Sequence, residues 1–377
     1  MVIFSFLSSL ALADQTCPVT AITIDEWEDI SAEIAQEKAA EIQALEEYIF
    51  TLEGEDTERK GIRTDGFIVI QQGKILYERY GRGFEAGHKH LLWSVSKSIT
   101  SAILGRGVYE GKLNLDDSIC EYYGDVPQEN CVLTPLDLVS FSSGLDWKEV
   151  YENESNQVSS VLAMLYGVGR ADMAKFVAEH SIVRTPGASV SYSTGDSTLL
   201  SATLRGALAG EYGEDYPWVL LFEPLGIEAV FERDIAGTYV GGSYAYMTPR
   251  DMGKFGQFFL NDGCWDEQRL LPDGWVSSST TPSAALQQEL YCCQDDDVSG
   301  WSWWLNVDVP SVGAVASMPD VPSDIYYAAG HWGQYIYVIP SLEVIIVQTG
   351  DDRDGSRDPN VMIPLALKLV EPAMEVE

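Results

Sequence analysis

The strand-like segments of this 377-residue chain lie near its two ends, with a helix-rich block between them. Gly66–Gln71 and Lys74–Tyr80 read as a hairpin joined at Gln72-Gly73. After residue 300 the aromatic and β-branched segments are Trp301–Asn306, Ser323–Ala328, Gln334–Ile339 and Glu343–Thr349. We expect one sheet built from both ends of the chain, with the helical block beside it as a second lobe and a cleft at the junction.

Apolar residues at helical spacing predict the helices. One long helix is expected over 24–53, ended by Gly54. The further candidates in the central block are Leu133–Phe141, Val158–Tyr166, Ala171–His180, Ser197–Leu208, Tyr216–Leu225 and Pro249–Asn261. A last helix, Val361–Val370, is predicted to close the chain.

The sequence predicts an export signal followed by one domain. Residues 2–13 are apolar and end in Ala11-Leu12-Ala13, a pattern that resembles a secretory signal (1–13) cleaved before Asp14. The run has no preceding Lys or Arg, which is atypical, and it is too short to span a bilayer. Residues 14–377 are then expected to form a single domain, with a sheet lobe at about 24–93 and 300–377 and a mainly helical lobe at about 94–299. We expect a secreted or periplasmic protein.

The charge excludes two classes of partner. The formal net charge is −35, from 58 acidic and 23 basic residues. Nucleic acids and anionic membranes both require basic patches, so neither is expected as a partner, and no later segment is a transmembrane candidate. The acidic surface is interpreted as a means of solubility.

The six cysteines predict disulfide bonds in an exported protein. Cys120 and Cys131 are the best local pair, and Cys264 with Cys292 or Cys293 is the next, leaving Cys17 for the other. No Cys-x-x-Cys pair occurs and the four histidines are mostly scattered, so neither a metal site nor a cofactor is predicted.

The candidate catalytic residues are Ser94 and Lys97, which stand three residues apart in the stretch Leu91–Thr100 (LLWSVSKSIT). At the start of a helix, positions i and i+3 share one face, so the hydroxyl and the amine point into the same space. A serine hydroxyl is a weak nucleophile that a desolvated lysine can activate, and a helix N-terminus favours a developing oxyanion. The alternative is that Ser94 is only a helix cap and Lys97 only a surface charge.

Two further segments offer the remaining groups for acyl transfer. Tyr192, in Tyr192-Ser193-Thr194 just before a helix, can give and take protons beside a buried ammonium, although burial of the ring alone is the commoner use of a tyrosine. His331-Trp332-Gly333-Gln334 opens a strand, where the Gln334 N–H could face that of Ser94 as a second oxyanion donor. A structural, hydrogen-bonding role for His331 is the alternative.

Together these motifs resemble the serine β-lactamase and penicillin-binding-protein superfamily, in its class C-like part, and are most similar to the 6-aminohexanoate-dimer hydrolase branch and related esterases. The resemblance covers roughly residues 60–370 and includes LTPLDLVSFSSGLDW (133–147), PGASVSYSTGDSTLLSATL (186–204), FEPLGIEAVFERD (222–234), GGSYAYMTPRDMGKFGQFFLNDG (241–263), SGWSWWLN (299–306) and AAGHWGQYIYVIPSLEVIIV (328–347). It implies a β-lactamase/transpeptidase-like fold of the α/β plus all-α class: an antiparallel sheet from the N- and C-terminal segments with flanking helices, a helical lobe, and the active site between them.

By position the resemblance implies that Ser94 is the acylated nucleophile, Lys97 its base and Tyr192 the acid/base partner. His331–Gly333 matches a strand motif that more often reads Lys-Thr-Gly. Thr194 stands where asparagine is commoner, so the family's amide contact to substrate is not carried over to this chain. His331 stands where lysine is commoner, so recognition of a substrate carboxylate is not carried over either.

The expected function is therefore that of a serine hydrolase that cleaves a small ester, amide or peptide, as a carboxylesterase or a 6-aminohexanoate-dimer-hydrolase-like amidase. The alternatives are a β-lactamase or D-alanyl-D-alanine carboxypeptidase and, outside enzymes, an inactive member acting as a binding module.

Overall fold

The structure is a computed structural model that describes residues 17–18, 21–24, 26–151, 158–286, 288 and 298–371. Its strands are β1 Glu28–Asp29, β2 Thr64–Gln71, β3 Lys74–Tyr80, β4 His90–Leu91, β5 Val230–Phe231, β6 Ala245–Met247, β7 Cys264–Trp265, β8 Gln268–Arg269, β9 Val298–Ser299, β10 Trp304–Leu305, β11 Tyr326–Gly330, β12 Gln334–Ile339 and β13 Val344–Gly350.

The α-helices are α1 Ser31–Glu37, α2 Ala39–Ile49, α3 Val95–Tyr109, α4 Pro135–Val139, α5 Ser160–Tyr166, α6 Met173–Ala178, α7 Thr194–Tyr212, α8 Pro249–Leu260, α9 Trp275–Ser279 and α10 Pro359–Leu367. A π-helical turn occupies Trp218–Phe222, and short 3-10 turns occupy Asp56–Glu58, Ile119–Glu121, Gln128–Asn130 and Pro340–Leu342.

The main sheet joins the two ends of the chain, as predicted. Its strand order is β1-β3-β2-β13-β12-β11-β10-β9. Every neighbouring pair is antiparallel except the two-residue β1, which runs parallel to β3. The β2–β13 pair links the N-terminal strands to the C-terminal strands, so neither half of the sheet is complete without the other.

Both faces of this sheet are covered by helices, which explains the nearly continuous apolar runs in its central strands. Along β13, Ile345 and Val347 face a core that contains α3 and α8, whereas Val344 and Ile346 face a second core beneath α1, α2 and α10. The helix α3 contacts the sheet on one side and α7 on the other. Its residues from Val95 to Gly107 are all buried, so the helix that begins at Ser94 stands at the junction of the two lobes.

The prediction of a single helix over 24–53 is wrong at its start and in its middle. Residues 28–29 are extended because they pair with β3, and Lys38 separates α1 from α2 with non-helical backbone angles. The Lys38 ammonium donates to the Leu369 carbonyl at 3.1 Å, beyond the end of α10. This long-range contact fixes the break, and periodicity within one segment does not reveal it.

The described part of the chain contains two disulfide bonds, Cys120–Cys131 and Cys17–Cys264. The first confirms the prediction, and the second shows that pairing Cys264 with Cys292 or Cys293 was wrong. The N-terminal segment lies against the end of α8, where Asn261 donates to the Ile22 carbonyl at 2.7 Å, so Cys17 reaches Cys264. Cys292 and Cys293 lie outside the described residues.

The predicted signal segment, residues 1–13, also lies outside the described residues. Within the described part of the chain, no helix is both long and apolar enough to cross a membrane. The two disulfide bonds fit the oxidising compartment expected of an exported protein, and export itself stays a prediction.

The two disulfide bonds are expected to stabilise the fold unequally, because they close loops of 247 and 11 residues. In the chain-entropy model, the long loop contributes about 5–6 kcal/mol and the short loop about 2–3 kcal/mol. The double variant Cys17→Ser/Cys264→Ser should therefore lose more free energy of unfolding than Cys120→Ser/Cys131→Ser in denaturant titrations. Equal losses, or a non-reduced peptide joining Cys264 to Cys292 or Cys293, would contradict this assignment.

Candidate active site

Ser94 occupies the first position before α3, at the end of a constrained loop. The preceding residue, Trp93, has φ = 48°, a left-handed conformation that is costly for a bulky side chain and that is found mainly at functional sites. The Ser94 side chain makes no helix-capping hydrogen bond. Its backbone N–H, at the positive end of α3, has no hydrogen-bond partner among the described residues. Both groups are therefore available to a ligand.

Lys97 lies one turn later and is only 2% exposed, which rules out a surface charge. Its Nζ is 2.9 Å from Ser94 Oγ, 2.9 Å from Thr194 Oγ1 and 2.8 Å from the Gly242 carbonyl oxygen. The three acceptors come from three separate parts of the chain. They match the three protons of an ammonium group.

The same three contacts determine the orientation of the Lys97 amine when it is neutral. The Gly242 carbonyl can only accept, and the Thr194 hydroxyl donates its own proton to Glu149. Two of the Lys97 contacts therefore require a proton from nitrogen. A neutral amine has two protons, so its lone pair is left to face Ser94 Oγ.

Burial lowers the pKa of Lys97 to about 8, because the charged form loses its hydration. The negative charge of Glu149 acts in the opposite direction and raises this pKa. Near neutral pH, the amine is thus much closer to deprotonation than a lysine in water.

The Gly242 carbonyl reaches Lys97 because the backbone at Gly242 lies close to Thr194. A Cβ atom at Gly242 would lie 2.6 Å from Thr194 Cγ2 and 2.9 Å from the Thr194 carbonyl oxygen. Only glycine fits without displacing the start of α7.

Glu149 and Tyr151 are functional-site residues that the sequence reasoning missed. The Glu149 carboxylate accepts from the Trp147 indole, the Tyr151 hydroxyl, and both the backbone N–H and the hydroxyl of Thr194. Tyr151 also contacts Thr194 Oγ1 at 3.1 Å, and burial raises its pKa well above the usual value. The alternation Trp147-x-Glu149-x-Tyr151 in a non-helical segment places all three on one side and is the signal that could have found them.

Thr194 is held at the start of α7 by a polar cluster beneath it. Ser193 caps the helix by accepting from the Asp196 N–H at 2.9 Å. The Asp196 carboxylate accepts from the hydroxyls of Ser193 and Ser143 at 3.0 and 2.8 Å, and burial raises its pKa to about 7. This cluster fixes the backbone that joins Tyr192 to Thr194.

Tyr192 lies next to the lysine, as predicted. The centre of its ring is 4.8 Å from Lys97 Nζ, a cation–π distance, and the ring packs on Phe141 and Trp304 at 5.0 and 5.2 Å. Tyr192 is half-buried and lines the same cavity as Ser94. Its role in proton transfer stays a prediction.

His331 lies in the turn between β11 and β12, opposite Ser94 in the cavity wall. Its ring stacks on Tyr151 at 5.4 Å and contacts Trp332 and Trp93 at 4.4 and 5.9 Å. The turn approaches the Ser94 loop so closely that a Cβ on Gly330 would lie 2.1 Å from the Leu92 carbonyl oxygen. Glycine at 330 is therefore required for this turn to reach the site.

Gly333 ends this turn and Gln334 begins β12, and neither is among the residues that line the cavity. The Gln334 side chain donates to the Gly350 carbonyl at 2.7 Å, and its backbone pairs with Gly330 across the hairpin. The side chain thus ties the turn to β13. The predicted oxyanion role of the Gln334 N–H stays a prediction.

The structure brings the predicted residues Ser94, Lys97, Thr194, Tyr192 and His331 together. Ser94 opens onto a cavity of about 490 Å³, within the usual size range for small-molecule sites. The cavity lining contains no acidic side chain among the described residues; its members are Ser94, Tyr151, Tyr192, Trp304, Ser317, Met318, Tyr327, Ala329, Gly330, His331, Tyr335, Tyr337, Arg357 and Pro359.

Known proteins share this sequence pattern and this fold. The chain is 26% identical over 295 residues to a 6-aminohexanoate-dimer hydrolase of Paenarthrobacter ureafaciens, a match that covers 68% of this chain and 73% of that protein. The structure resembles the hydrolase EstCE1, described as having promiscuous acyltransferase activity, with a TM-score of 0.66 at 15% identity, covering 88% of this chain and 98% of the other. A penicillin-binding protein from Bacillus halodurans gives a TM-score of 0.59 at 16% identity, covering 80% and 96%.

The sequence pattern of the Beta-lactamase family matches residues 44–369, which is most of the chain and includes every residue of the site described above. The predicted β-lactamase/transpeptidase-like fold is confirmed by the solved structures, and the chain belongs to the Beta-lactamase family.

Proposed function

We propose that this protein is a serine hydrolase that cleaves esters or linear amides through an acyl-enzyme on Ser94. The observation that carries the proposal is the buried Lys97 amine, whose Nζ is 2.9 Å from Ser94 Oγ and whose other two contacts are acceptors. A buried amine with a pKa of about 8 is suited to take the serine proton.

In the first step, neutral Lys97 takes the Ser94 proton while Ser94 Oγ bonds to the substrate carbonyl carbon. The carbonyl oxygen becomes an oxyanion at the N-terminus of α3, where the Ser94 N–H is available to donate. Opposite charges then lie close together, since Lys97 is an ammonium when the oxyanion has formed.

In the second step, the bond to the leaving group breaks and the leaving oxygen or nitrogen needs a proton. Tyr192 is placed to pass it, because its ring lies against Lys97 Nζ and lines the cavity. Water then attacks the carbonyl carbon of the Ser94 ester while neutral Lys97 takes a proton from it. As the bond from the acyl carbon to Ser94 Oγ breaks, this proton passes to Ser94 Oγ and the acid is released.

The substrate class follows from the position of His331 and from the relatives. β-Lactams and D-Ala-D-Ala peptides carry a carboxylate beside the scissile bond, and the compact charge of a lysine ammonium is a stronger partner for it than an imidazole ring. The relative from Paenarthrobacter ureafaciens is named for a linear amide, which supports an ester or linear amide substrate here.

A β-lactamase or carboxypeptidase activity is the second candidate, supported by the fold and by the likeness to a penicillin-binding protein. An inactive binding module is disfavoured by the intact Ser94–Lys97 contact and by the backbone N–H of Ser94, which has no hydrogen-bond partner in the described part of the chain.

Ser94 is expected to form one covalent adduct with a fluorophosphonate or with a slowly hydrolysed ester. Intact-mass analysis followed by peptide mapping should place the adduct on Ser94 and find none in Ser94→Ala. The exposed Ser278→Ala is a matched control that should label normally. An adduct on Ser96 or Ser197 would contradict the assignment.

The pH dependence of acylation should follow Lys97. Because only the neutral amine can accept the proton, kcat/KM should rise with pH through about 8 and then level off. About two units below that midpoint, roughly 1% of the amine is neutral, so the rate should be about a hundredfold below its plateau.

The variant Glu149→Gln tests the origin of this midpoint. It removes the negative charge that raises the Lys97 pKa, so the midpoint of kcat/KM should move to lower pH. The exposed Glu223→Gln should leave the midpoint unchanged. A midpoint that stays constant or rises in Glu149→Gln would show that Lys97 is not the titrating base.

The choice of substrate should favour 4-nitrophenyl butyrate over nitrocefin. Loss of one charge-assisted contact to the β-lactam carboxylate costs on the order of 1.5–3 kcal/mol, or about ten- to a hundredfold in kcat/KM. Spectrophotometric kcat/KM values for the two compounds measure the preference. If nitrocefin is the better substrate, the inference from His331 fails and the protein acts as a β-lactamase.

A further inference from the structure

A second, much smaller cavity lies beside the catalytic residues. Its volume is about 10 Å³, which is the space that a single water molecule requires. Ser94 and Lys97 both line it, and it shares Tyr192 and Trp304 with the main cavity described above. The rings of Tyr192 and Trp304 pack 5.2 Å apart, so this pair of rings stands between the two cavities. The small cavity therefore borders both the nucleophile and its base.

The lining of this small cavity is polar enough to hold water. A buried water molecule needs about two to four hydrogen-bonding partners. Besides Lys97, most of the polar residues in the lining carry a hydroxyl group, which can both donate and accept. These residues are Ser94, Ser98, Tyr192, Ser299 and Ser302. A water molecule is thus the ligand that fits both the size and the chemistry of the cavity.

Ser299 contributes the hydroxyl that most needs such a partner. The residue is only 2% exposed, and its hydroxyl has no hydrogen-bond partner in the described part of the chain. Ser299 pairs directly with Trp304 across β9 and β10, so the two side chains lie on the same face of the sheet, where both line the small cavity. A buried hydroxyl is normally bonded to protein or to an ordered water. A water molecule in the cavity would satisfy the Ser299 hydroxyl.

The turn between β9 and β10 is fixed to neighbouring elements by buried contacts. The Ser98 hydroxyl, on α3, donates to the Ser302 carbonyl at 2.6 Å, and the Ser302 hydroxyl donates to the Val139 carbonyl at 3.1 Å. Trp303 is fully buried, and its ring packs on that of Phe259 at 4.4 Å. The spacing between this turn and α3, and with it the size of the small cavity, is therefore well defined.

We propose that the small cavity binds the water molecule that hydrolyses the Ser94 acyl-enzyme, and that Ser299 positions this water. The proposal rests on the proposed function, since it concerns the step after acylation. The acylated Ser94 Oγ has no proton to give, so the lone pair of neutral Lys97 can take a proton from the water. The water oxygen bonds to the acyl carbon, the bond from this carbon to Oγ breaks, and the proton passes from Lys97 to Oγ.

A water molecule held in the small cavity is distinguished from other nucleophiles by its size. The main cavity, of about 490 Å³, admits alcohols as well as water, whereas a volume of about 10 Å³ leaves no room for methanol. Loss of the small site should therefore slow the hydrolysis of the acyl-enzyme. It should slow neither the formation of the acyl-enzyme nor its reaction with an alcohol.

The variant Ser299→Val tests the proposal, because valine removes the hydroxyl and its second methyl group takes up the space of the water. With 4-nitrophenyl butyrate, deacylation should slow about tenfold, whereas kcat/KM, which reports acylation, should change less than about twofold. Once deacylation limits the rate, kcat and KM fall together and the butyryl-enzyme accumulates in intact-mass spectra. Rapid-mixing measurements of the nitrophenol burst and of the steady state give the two rates.

Competition with methanol gives a readout that general damage to the active site would not produce. Methanol attacks the acyl-enzyme from the main cavity, so the ratio of methyl butyrate to butyrate should rise about tenfold in Ser299→Val. Gas chromatography of the products measures this ratio. A variant that merely distorts the site would slow both reactions and leave the ratio unchanged.

Two other variants control for volume and for the loss of a buried serine hydroxyl. Ser299→Ala removes the hydroxyl without filling the cavity and should give smaller changes in the same direction. Ser279→Ala alters a fully buried serine whose hydroxyl also lacks a partner in the described part of the chain, but which does not line the cavity. It should leave deacylation and the product ratio unchanged. Thermal unfolding of each variant verifies that it is folded.

These measurements separate the failure of this proposal from that of the proposed function. If the wild-type protein forms no acyl-enzyme on Ser94, both fail. If the acyl-enzyme forms but Ser299→Val and Ser299→Ala hydrolyse it at the wild-type rate, the water comes from elsewhere and only the small site is overturned. Equal slowing of hydrolysis and methanolysis would overturn it as well.

Discussion

The burial of the Lys97 ammonium is the constraint on which the rest of the site depends. An isolated charge in the interior is costly unless it is paired or fully hydrogen-bonded. Here α3 supplies the lysine and Ser94, α7 supplies Thr194, and the segment before β6 supplies the Gly242 carbonyl. Moving any of these elements would leave a buried donor without an acceptor. The lysine therefore fixes α3, α7 and the segment before β6 to one another beside Ser94.

The arrangement also explains why Glu149 is not in direct contact with the lysine. A carboxylate paired with Lys97 would hold the amine protonated and remove its use as a base. Placed behind the Thr194 hydroxyl, Glu149 instead commits the threonine proton and so decides which way the amine lone pair points. Thr194, which stands where asparagine is commoner in the family, thus connects the Glu149 carboxylate to the Lys97 amine.

The parts that the sequence could predict are those set by local spacing. Ser94 and Lys97 share a helix face, and alternating apolar residues define β2, β3, β12 and β13. The parts it could not predict depend on distant contacts. Lys38 breaks a helix because its side chain reaches the end of α10. Cys17 bonds to Cys264 because Asn261 holds Ile22 nearby. Gly242 contacts Lys97 through its backbone carbonyl, which no pattern of side chains can reveal.

The two ends of the cavity draw on different faces of the main sheet. The Ser94 helix packs on the face that carries Ile336 and Val338, whereas Tyr335 and Tyr337 belong to the opposite face, beneath α10. Since successive residues of β12 alternate between these faces, the tyrosines that contact Arg357 are placed by the same register that seats α3. A change at Tyr335, Tyr337 or Arg357 alters the far end of the cavity without removing a contact of Lys97. The fold therefore allows the two ends of the cavity to vary independently of one another.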